Sequence, residues 1–319
     1  MSAPAPRVPL RKRIKRFLRA YALLGLLAVL GRLPFGFALR FGAGAGRLAY
    51  RLLGKERRRS LAHLAIAFPD KSEAEREAIA LRMFEQLGIS AMEIAQLRRI
   101  DRMLEDYVTL DERTADILRR VPTGAGAVMI TGHVGNWELL FRRCLRAGFD
   151  AYAVGKESHD PRFTRLMERV RGRDRVIWRG ADGASRRMLQ VFRKNGYLAL
   201  LMDQDTKVQG VFVPFFGRLA HTPRAPADLA LRMGAGVAAI FIHRRPEGGH
   251  VVTAREIPLP EGRGEEAVVE LTAAMTRAIE EEIRRHPHEW VWMHERWKTR
   301  PPSEAPAKKS VDPAVERSA

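Results

Sequence analysis

Residues 126–148 read GAVMITGHVGNWELLFRRCLRAG. The apolar run ends abruptly at Gly132-His133, and Trp137-Glu138 opens a pattern of helical period. In one continuous helix, five residues turn through about 500°, so His133 and Glu138 would point about 140° apart. They can cooperate only if His133 sits on the turn after a strand and Glu138 in the first turn of the helix that follows. The residues between them favour that corner. Gly132 and Gly135 permit a sharp turn, and Asn136 is a good N-cap. Glu138 then lies at the positive end of the helix dipole, which favours its ionised form. A carboxylate bonded to one imidazole nitrogen fixes the tautomer and makes the other nitrogen a better base. Backbone N–H groups at the same helix start can stabilise a developing oxyanion. On spacing alone, the competing reading is a buried histidine beside a helix cap, with Glu138 a solvated first-turn acid.

Outward from this corner the chain alternates short apolar runs with helical patterns. FDAYAV, VIW, YLALLM, VAAIFIH and HVVTAREI read as further strands. PRFTRLMERVR, ASRRMLQVFRKN, APADLALRM and VVELTAAMTRAIEEEIRRH read as helices. Pro161 starts one of them, and Gly148 and Gly196 end two others. This alternation implies an α/β fold, a central mostly parallel mixed sheet flanked by helices on both faces. In such sheets, ligands bind in the crevice at the carboxyl ends of the strands, where His133 falls. Before the first strand, Ser72 followed by Glu75 forms a capping box for a helix whose apolar positions run to about Leu97. Residues 101–120 read as a mixed polar helix, and DQDTKVQGVFVPFFGRLAHTPR (203–224) as a long loop.

The charge balance narrows the partners. Lys+Arg 56 against Asp+Glu 37 gives a net +19, so an acidic partner is expected: nucleic acid, an anionic membrane surface or a phosphorylated substrate. Residues 7–19, RVPLRKRIKRFLR, lead directly into an apolar stretch from Tyr21 to Gly31. Basic residues abutting an apolar helix resemble a cytoplasmic-side membrane anchor. At 11 residues the stretch is short of the ~20 a spanning helix needs, so a tilted or interfacial helix pair reaching Gly46 is the alternative. A cleaved signal peptide is disfavoured because positive charge continues through GKERRR. The expected organisation is a basic anchor region over 1–53, a catalytic domain over 54–301 and a disordered tail over 302–319, rich in Pro, Ala and Ser.

Several chemistries are excluded or disfavoured. Cys144 is the single cysteine; it falls in a predicted helix and reads as a small core residue rather than a nucleophile. No HExxH motif occurs and no histidine cluster has metal-ligand spacing, so no metal is expected, although His286, His288 and His294 crowd the C-terminal region. G-x-S-x-G, G-x-G-x-x-G and GxxxxGK[ST] are all absent, which disfavours serine hydrolysis and nucleotide binding. No RRM-, KH- or helix-turn-helix-like signature supports nucleic acid.

Several separated segments together resemble one family. They are GHVGNWELL, the RGR of VRGRDRVIW, MDQDTKVQGVFVPFFG, TPRAPADLALRMGA and EWVWMHERWKTRP, joined by GRLP and AHLAIAFPDKSEAERE nearer the start. In order, from about residue 20 to about 301, these resemble the late acyltransferases of lipid A biosynthesis, relatives of glycerolipid acyltransferases with an HX4D/E box. The resemblance implies an inner-membrane enzyme on the cytoplasmic face, transferring an acyl chain from a thioester to a lipid hydroxyl. The donor is acyl carrier protein or coenzyme A, and no other cofactor is needed. It makes His133 the general base and Glu138 its partner, with no acyl-enzyme. Arg171 would bind phosphate or the oxyanion; Asp203, Gln204 and Asp205 would shape the site, with Asn136 at the helix start. GVFVPFFG, apolar and aromatic in a loop, reads as a wall of the acyl groove, or as plain hydrophobic core. Trp290, Trp292 and Trp297, beside Arg296, Lys298 and Arg300, suit a headgroup-level interface, or simple core packing. Another glycolipid or lyso-lipid acceptor and a catalytically silent membrane-binding protein stand as alternatives.

Overall fold

The computed structural model describes residues 25–302 apart from residues 123 and 159. The basic run 7–19, the start of the apolar stretch and all but one residue of the expected tail lie outside the described residues.

After a helical run over residues 25–30 come three helices, α1 (Phe35–Leu52), α2 (Gly54–Ala67) and α3 (Glu73–Ala95). The Ser72–Glu75 capping box opens α3 as expected, with the Glu75 carboxylate accepting the Ser72 N–H at 2.8 Å. Two single turns (97–100 and 104–107) lead to β1 (Val108–Thr109) and α4 (Glu112–Arg120). The mixed polar helix expected over 101–120 is therefore broken. Tyr107 and Val108 turn inward to the core, and Asp111 caps a new helix by accepting the Thr114 N–H at 2.7 Å.

The remaining elements follow the predicted alternation: β2 (Ala127–Thr131), α5 (Trp137–Arg146), β3 (Ala151–Gly155), α6 (Pro161–Arg171) and β4 (Val176–Trp178). Next come α7 (Ala184–Arg193), β5 (Tyr197–Leu201), β6 (Gly210–Phe215), β7 (Arg218–Pro223) and α8 (Ala225–Met233). The chain closes with β8 (Gly236–Arg244), β9 (His250–Glu256), α9 (Glu265–Arg285) and a short turn at Pro287–Glu289. Seven strands form one sheet in the order β1-β9-β8-β2-β5-β3-β4. Every pairing in it is parallel except β8–β9. This is the expected α/β architecture.

The strands alternate between two cores. Val128, Ile130, Leu198 and Val237 face a core shared with Leu271, Met275 and Ile279 of α9. Ala127, Met129, Ala238 and Ile240 face another, closed by Leu139, Leu140 and Cys144 of α5. Cys144 is buried as predicted, and burial pushes its thiol up to about 12, which removes it as a nucleophile at neutral pH.

The segment read as a long loop is in part a hairpin, β6–β7, paired antiparallel from Gly210↔Pro223 to Phe215↔Arg218. Its period of two turns Val211, Val213 and Phe215 inward. Phe215 packs edge-on against Trp290 and tilted against Trp297, and Phe216 packs tilted against Trp292. GVFVPFFG is thus core rather than a groove wall. The three tryptophans are core as well, almost fully withdrawn from solvent. Arg296 lies among them, over the Phe215 ring and hydrogen-bonded to His221 O and Thr222 Oγ1.

No helix among the described residues is long and apolar enough to cross a membrane; the expected N-terminal membrane-associated helix falls largely outside them, and of its apolar stretch residues 25–30 are described, as helix. Within α1 the stripe Ala38, Gly42 and Gly46 is buried against α3. The approach is close enough that a Cβ on Gly46 would stand 2.2 Å from Phe84 O, and one on Gly88 2.1 Å from Gly42 O. About 110° round the helix, Phe37, Phe41, Leu48 and Leu52 are exposed. Arg40, Arg47 and Arg51 follow beyond them. The clash is with backbone, so Gly46→Val should separate the two helices. It is expected to cost about 1–3 kcal/mol, read as a lower midpoint in thermal unfolding, whereas Gly44→Val, which meets nothing within 4 Å, should cost less.

Candidate active site

β2 and β5 are parallel neighbours in register, with Thr131 opposite Leu201. Two residues beyond each strand end, therefore, stand His133 and Asp203, side by side at the carboxyl edge of the sheet. Asp203 is fully buried and takes three hydrogen bonds. Its Oδ1 lies 2.8 Å from His133 Nδ1, and its Oδ2 accepts the His133 backbone N–H and the Trp290 indole N–H, both at 2.7 Å. Burial would raise this carboxyl, but the imidazole charge and the three donors hold it well below the usual carboxylate range. An ionised Asp203 makes Nδ1 the protonated nitrogen of His133. The lone pair is then on Nε2.

Nε2 is met by Gln204, whose amide nitrogen stands 3.1 Å from it and 2.7 Å from His294 Nε2. One N–H₂ group thereby serves two histidines. Burial, and then the nearby His133, push His294 down to about 4, so His294 is neutral at physiological pH and accepts from Gln204. The three-member arrangement pairs His133 differently from the expectation. Glu138 does lie in the first turn of α5, capped by Asn136, whose Oδ1 accepts the Leu139 N–H at 3.3 Å. Its carboxylate, however, is taken by Arg171, with Nε to Oε2 at 2.8 Å and Nη2 to Oε1 at 2.5 Å. Asp203, expected only to shape the site, is the imidazole's carboxylate partner, and Glu138 is the partner of Arg171. The reason is direction: β5 aims Asp203 at the imidazole, while α5 aims Glu138 toward the end of α6.

The turn itself needs its glycine. Gly135 has φ +59°, and a Cβ there would stand 2.1 Å from Ile242 O. The C-terminal segment straps this turn in place. Gly135 N–H donates to Glu289 O at 3.0 Å, Val291 N–H to His133 O at 3.3 Å, and Val134 bridges Trp290. Asp205 holds the segment further along through Thr299. From the other side, Asn136 Nδ2 donates to Glu93 at 2.8 Å. The fully buried Glu93 also accepts from Tyr107 and Arg244 and contacts His250.

Sequence reading missed Glu93, the indole of Trp290 and the role of His294. One signal existed for Glu93, an acid set among apolar residues in ISAMEIA. Nothing local marked the other two, which reach the site only through the folded C-terminal strap.

His133, Trp137 and Arg171 line a cavity of about 250 Å³ with Gly155, Phe163 and Trp178. Trp137 and Arg171 also line a smaller apolar space of about 40 Å³, floored by Leu140, Cys144 and Ala153. A larger open groove of about 790 Å³ runs past Arg224, Arg232 and Arg263 and shares no lining residue with the His133 cavity. The imidazole of His133 and the half-buried Arg171 thus share one cavity wall, with a small apolar space behind Trp137.

The profile of the bacterial lipid A biosynthesis acyltransferases matches residues 9–299. The chain belongs to that family. It is 27% identical over 290 residues to a lipid A biosynthesis lauroyltransferase of Escherichia coli (strain K12), covering 87% of this chain and 90% of that protein. A lipid A biosynthesis myristoyltransferase of the same organism is 26% identical over 283 residues, covering 85% and 84%. A phosphatidylinositol mannoside acyltransferase of Mycobacterium tuberculosis (strain CDC 1551 / Oshkosh) is 26% identical over 206 residues, covering 63% and 61%. The chain is an acyltransferase.

The neutral His294 has a consequence for stability. Its folded-state value of about 4 lies below the ordinary histidine value of 6.5, so between those pH values the unfolded chain binds the extra proton. Stability attributable to this group is complete above about pH 6.5 and falls as the pH drops toward 4, by at most about 1.4 kcal/mol per pH unit. His294→Gln should flatten the wild-type loss of stability across that window, as read by denaturant unfolding at stepped pH.

Proposed function

We propose that the chain is a membrane-associated O-acyltransferase that moves a fatty acyl group from an acyl thioester to a hydroxyl of a lipid A precursor. The observation that carries this reading is the couple of the buried Asp203 with His133, which lines one cavity together with Arg171. The acceptor hydroxyl displaces the Gln204 amide from Nε2. Nε2 takes the hydroxyl proton as the oxygen attacks the thioester carbonyl, and Asp203 stabilises the imidazolium through Nδ1–H. The tetrahedral intermediate collapses with loss of the thiolate, which receives the proton back from Nε2, leaving ester and thiol. No acyl-enzyme forms, in keeping with the buried, neutral Cys144.

Arg171, held by Glu138, keeps Nη1 for the developing oxyanion or a substrate phosphate. The apolar space behind Trp137 receives the first part of the acyl chain. Outside the site, the exposed Phe37, Phe41, Leu48 and Leu52 of α1, bordered by arginines, suit a helix lying in the interface of an anionic bilayer. That placement and the basic N-terminus support a site of action on the cytoplasmic face of the inner membrane. The net +19 charge suits acidic headgroups and an acidic acyl carrier protein as donor. The similarity to phosphatidylinositol mannoside acyltransferases favours a second acceptor, a mannosylated phospholipid.

The test is an acyl-transfer assay with purified chain, acyl carrier protein or coenzyme A thioesters, and each candidate lipid. His133→Ala should lower kcat about 10²–10⁴-fold, and Asp203→Asn, which keeps the shape but removes the charge, by a comparable factor. Transfer by His133→Ala at the wild-type rate would refute the base. Turnover only with the mannosylated acceptor would move the assignment to that lipid, and binding without turnover on every lipid would favour a silent membrane-binding protein.

A further inference from the structure

Behind the catalytic turn lies a second cluster of ionisable groups that the transfer reaction does not use. His243 stands near the end of β8, His286 is the C-cap of α9 and Glu289 ends the short turn that follows. One donor atom from each lies within 4.8 Å of the others. His243 and Glu289 are buried, and His286 is half-buried. His243 Nε2 contacts Glu282 Oε1 at 2.5 Å, and Nδ1 faces Glu289 Oε2 at 3.7 Å. Neither ring nitrogen makes a hydrogen bond of ordinary geometry, although both are shut away from solvent. The ring is thus held between two buried carboxylates, with the ring of His286 beside it.

We propose that His243, His286 and Glu289 bind a divalent transition-metal ion, with Zn²⁺ the ion that best fits two imidazoles and one carboxylate. His243 ligates through Nδ1. Glu282 takes the Nε2 proton and so fixes the ring, the carboxylate–histidine–metal arrangement common at such sites. Zinc holds nitrogen and oxygen donors at about 2.0–2.2 Å, which sets neighbouring donors about 3.3 Å apart. The cluster must therefore tighten. The ring of His286 stacks on His243 at 3.9 Å between centroids and 22° between planes; being the least buried of the three, His286 is the ligand that turns.

The consequence reaches the transfer site. Glu289 O accepts the Gly135 N–H, its carboxylate accepts the Arg244 N–H at 3.1 Å, and the adjacent Trp290 donates to Asp203. An ion on Glu289 fastens the strap that shapes the catalytic turn. The crowding of histidines near the C-terminus drew attention to His286, but nothing in the spacing marked His243, which β8 brings in from elsewhere in the chain.

The experiment uses the full-length, tag-free chain, stripped with a chelator and titrated with Zn²⁺ alone by calorimetry. Metal content is measured after dialysis, and thermal unfolding with and without zinc. One equivalent of zinc and a raised midpoint are expected. His286→Ala and Glu289→Gln should each weaken binding at least about 10-fold and abolish the zinc-dependent rise in midpoint. His288→Ala and His133→Ala should keep both. The proposal is overturned if wild type holds no stoichiometric zinc, or if His286→Ala binds as tightly as wild type. It is also overturned if binding is lost in His133→Ala instead. None of these readouts requires catalytic turnover, so failure of this site is separable from failure of the proposed reaction.

Discussion

One buried carboxylate organises the corner of the fold where the chemistry is read. Asp203 is removed from solvent at the end of β5, and an isolated ionised carboxylate there would be strongly disfavoured. It is stable because three donors converge on it from two separate parts of the chain: the backbone and ring of His133, and the indole of Trp290. Each of those donors is in turn constrained. The His133 backbone can point inward only because Gly135 turns with positive φ. Trp290 reaches in only because the C-terminal strap crosses the turn. Losing one donor would leave a buried charge under-satisfied, which costs more than the lost bond itself contributes.

This dependence explains why the helix start beside it is so heavily braced. Asn136 caps α5 with one end of its amide and donates to Glu93 with the other. Glu93 is fully buried and answered by Arg244, Tyr107 and His250 from other elements. A half-satisfied network of this kind would be worse than an apolar core, whereas a fully connected one fixes a single geometry. Arg142 links the same helix to Asp101 and to the Val170 carbonyl, next to Arg171. The Glu138–Arg171 pair therefore rests on a rigid frame on both sides.

How much of this was legible in the sequence follows from which interactions are local. The strand–turn–helix corner was legible, because Gly132, Gly135 and Asn136 carry their conformational preferences wherever they occur. The capping box at Ser72 was legible for the same reason. The parallel sheet was legible from the alternation of apolar runs and helices. The histidine's partner was not, since spacing of five residues drew attention to Glu138. The register of β2 on β5 then placed Asp203 nearer. Composition likewise pointed the three tryptophans and GVFVPFFG toward a lipid or a groove. Only the hairpin's alternation and the buried Arg296 turn them into core.

The same argument bears on α1. Its glycine stripe and its exposed aromatic stripe are both apolar in sequence, and a hydropathy reading merges them into one membrane segment. In the fold they do different things. Gly42 and Gly46 let α1 approach α3 to within backbone contact, which no larger residue permits. Because that face is committed to protein, Phe37, Phe41, Leu48 and Leu52 are left on a neighbouring face with arginines alongside. A helix fixed to the body in this way cannot rotate to hide those side chains. Any surface that covers them must come to the whole molecule, which ties the orientation of the His133 crevice to the orientation of α1.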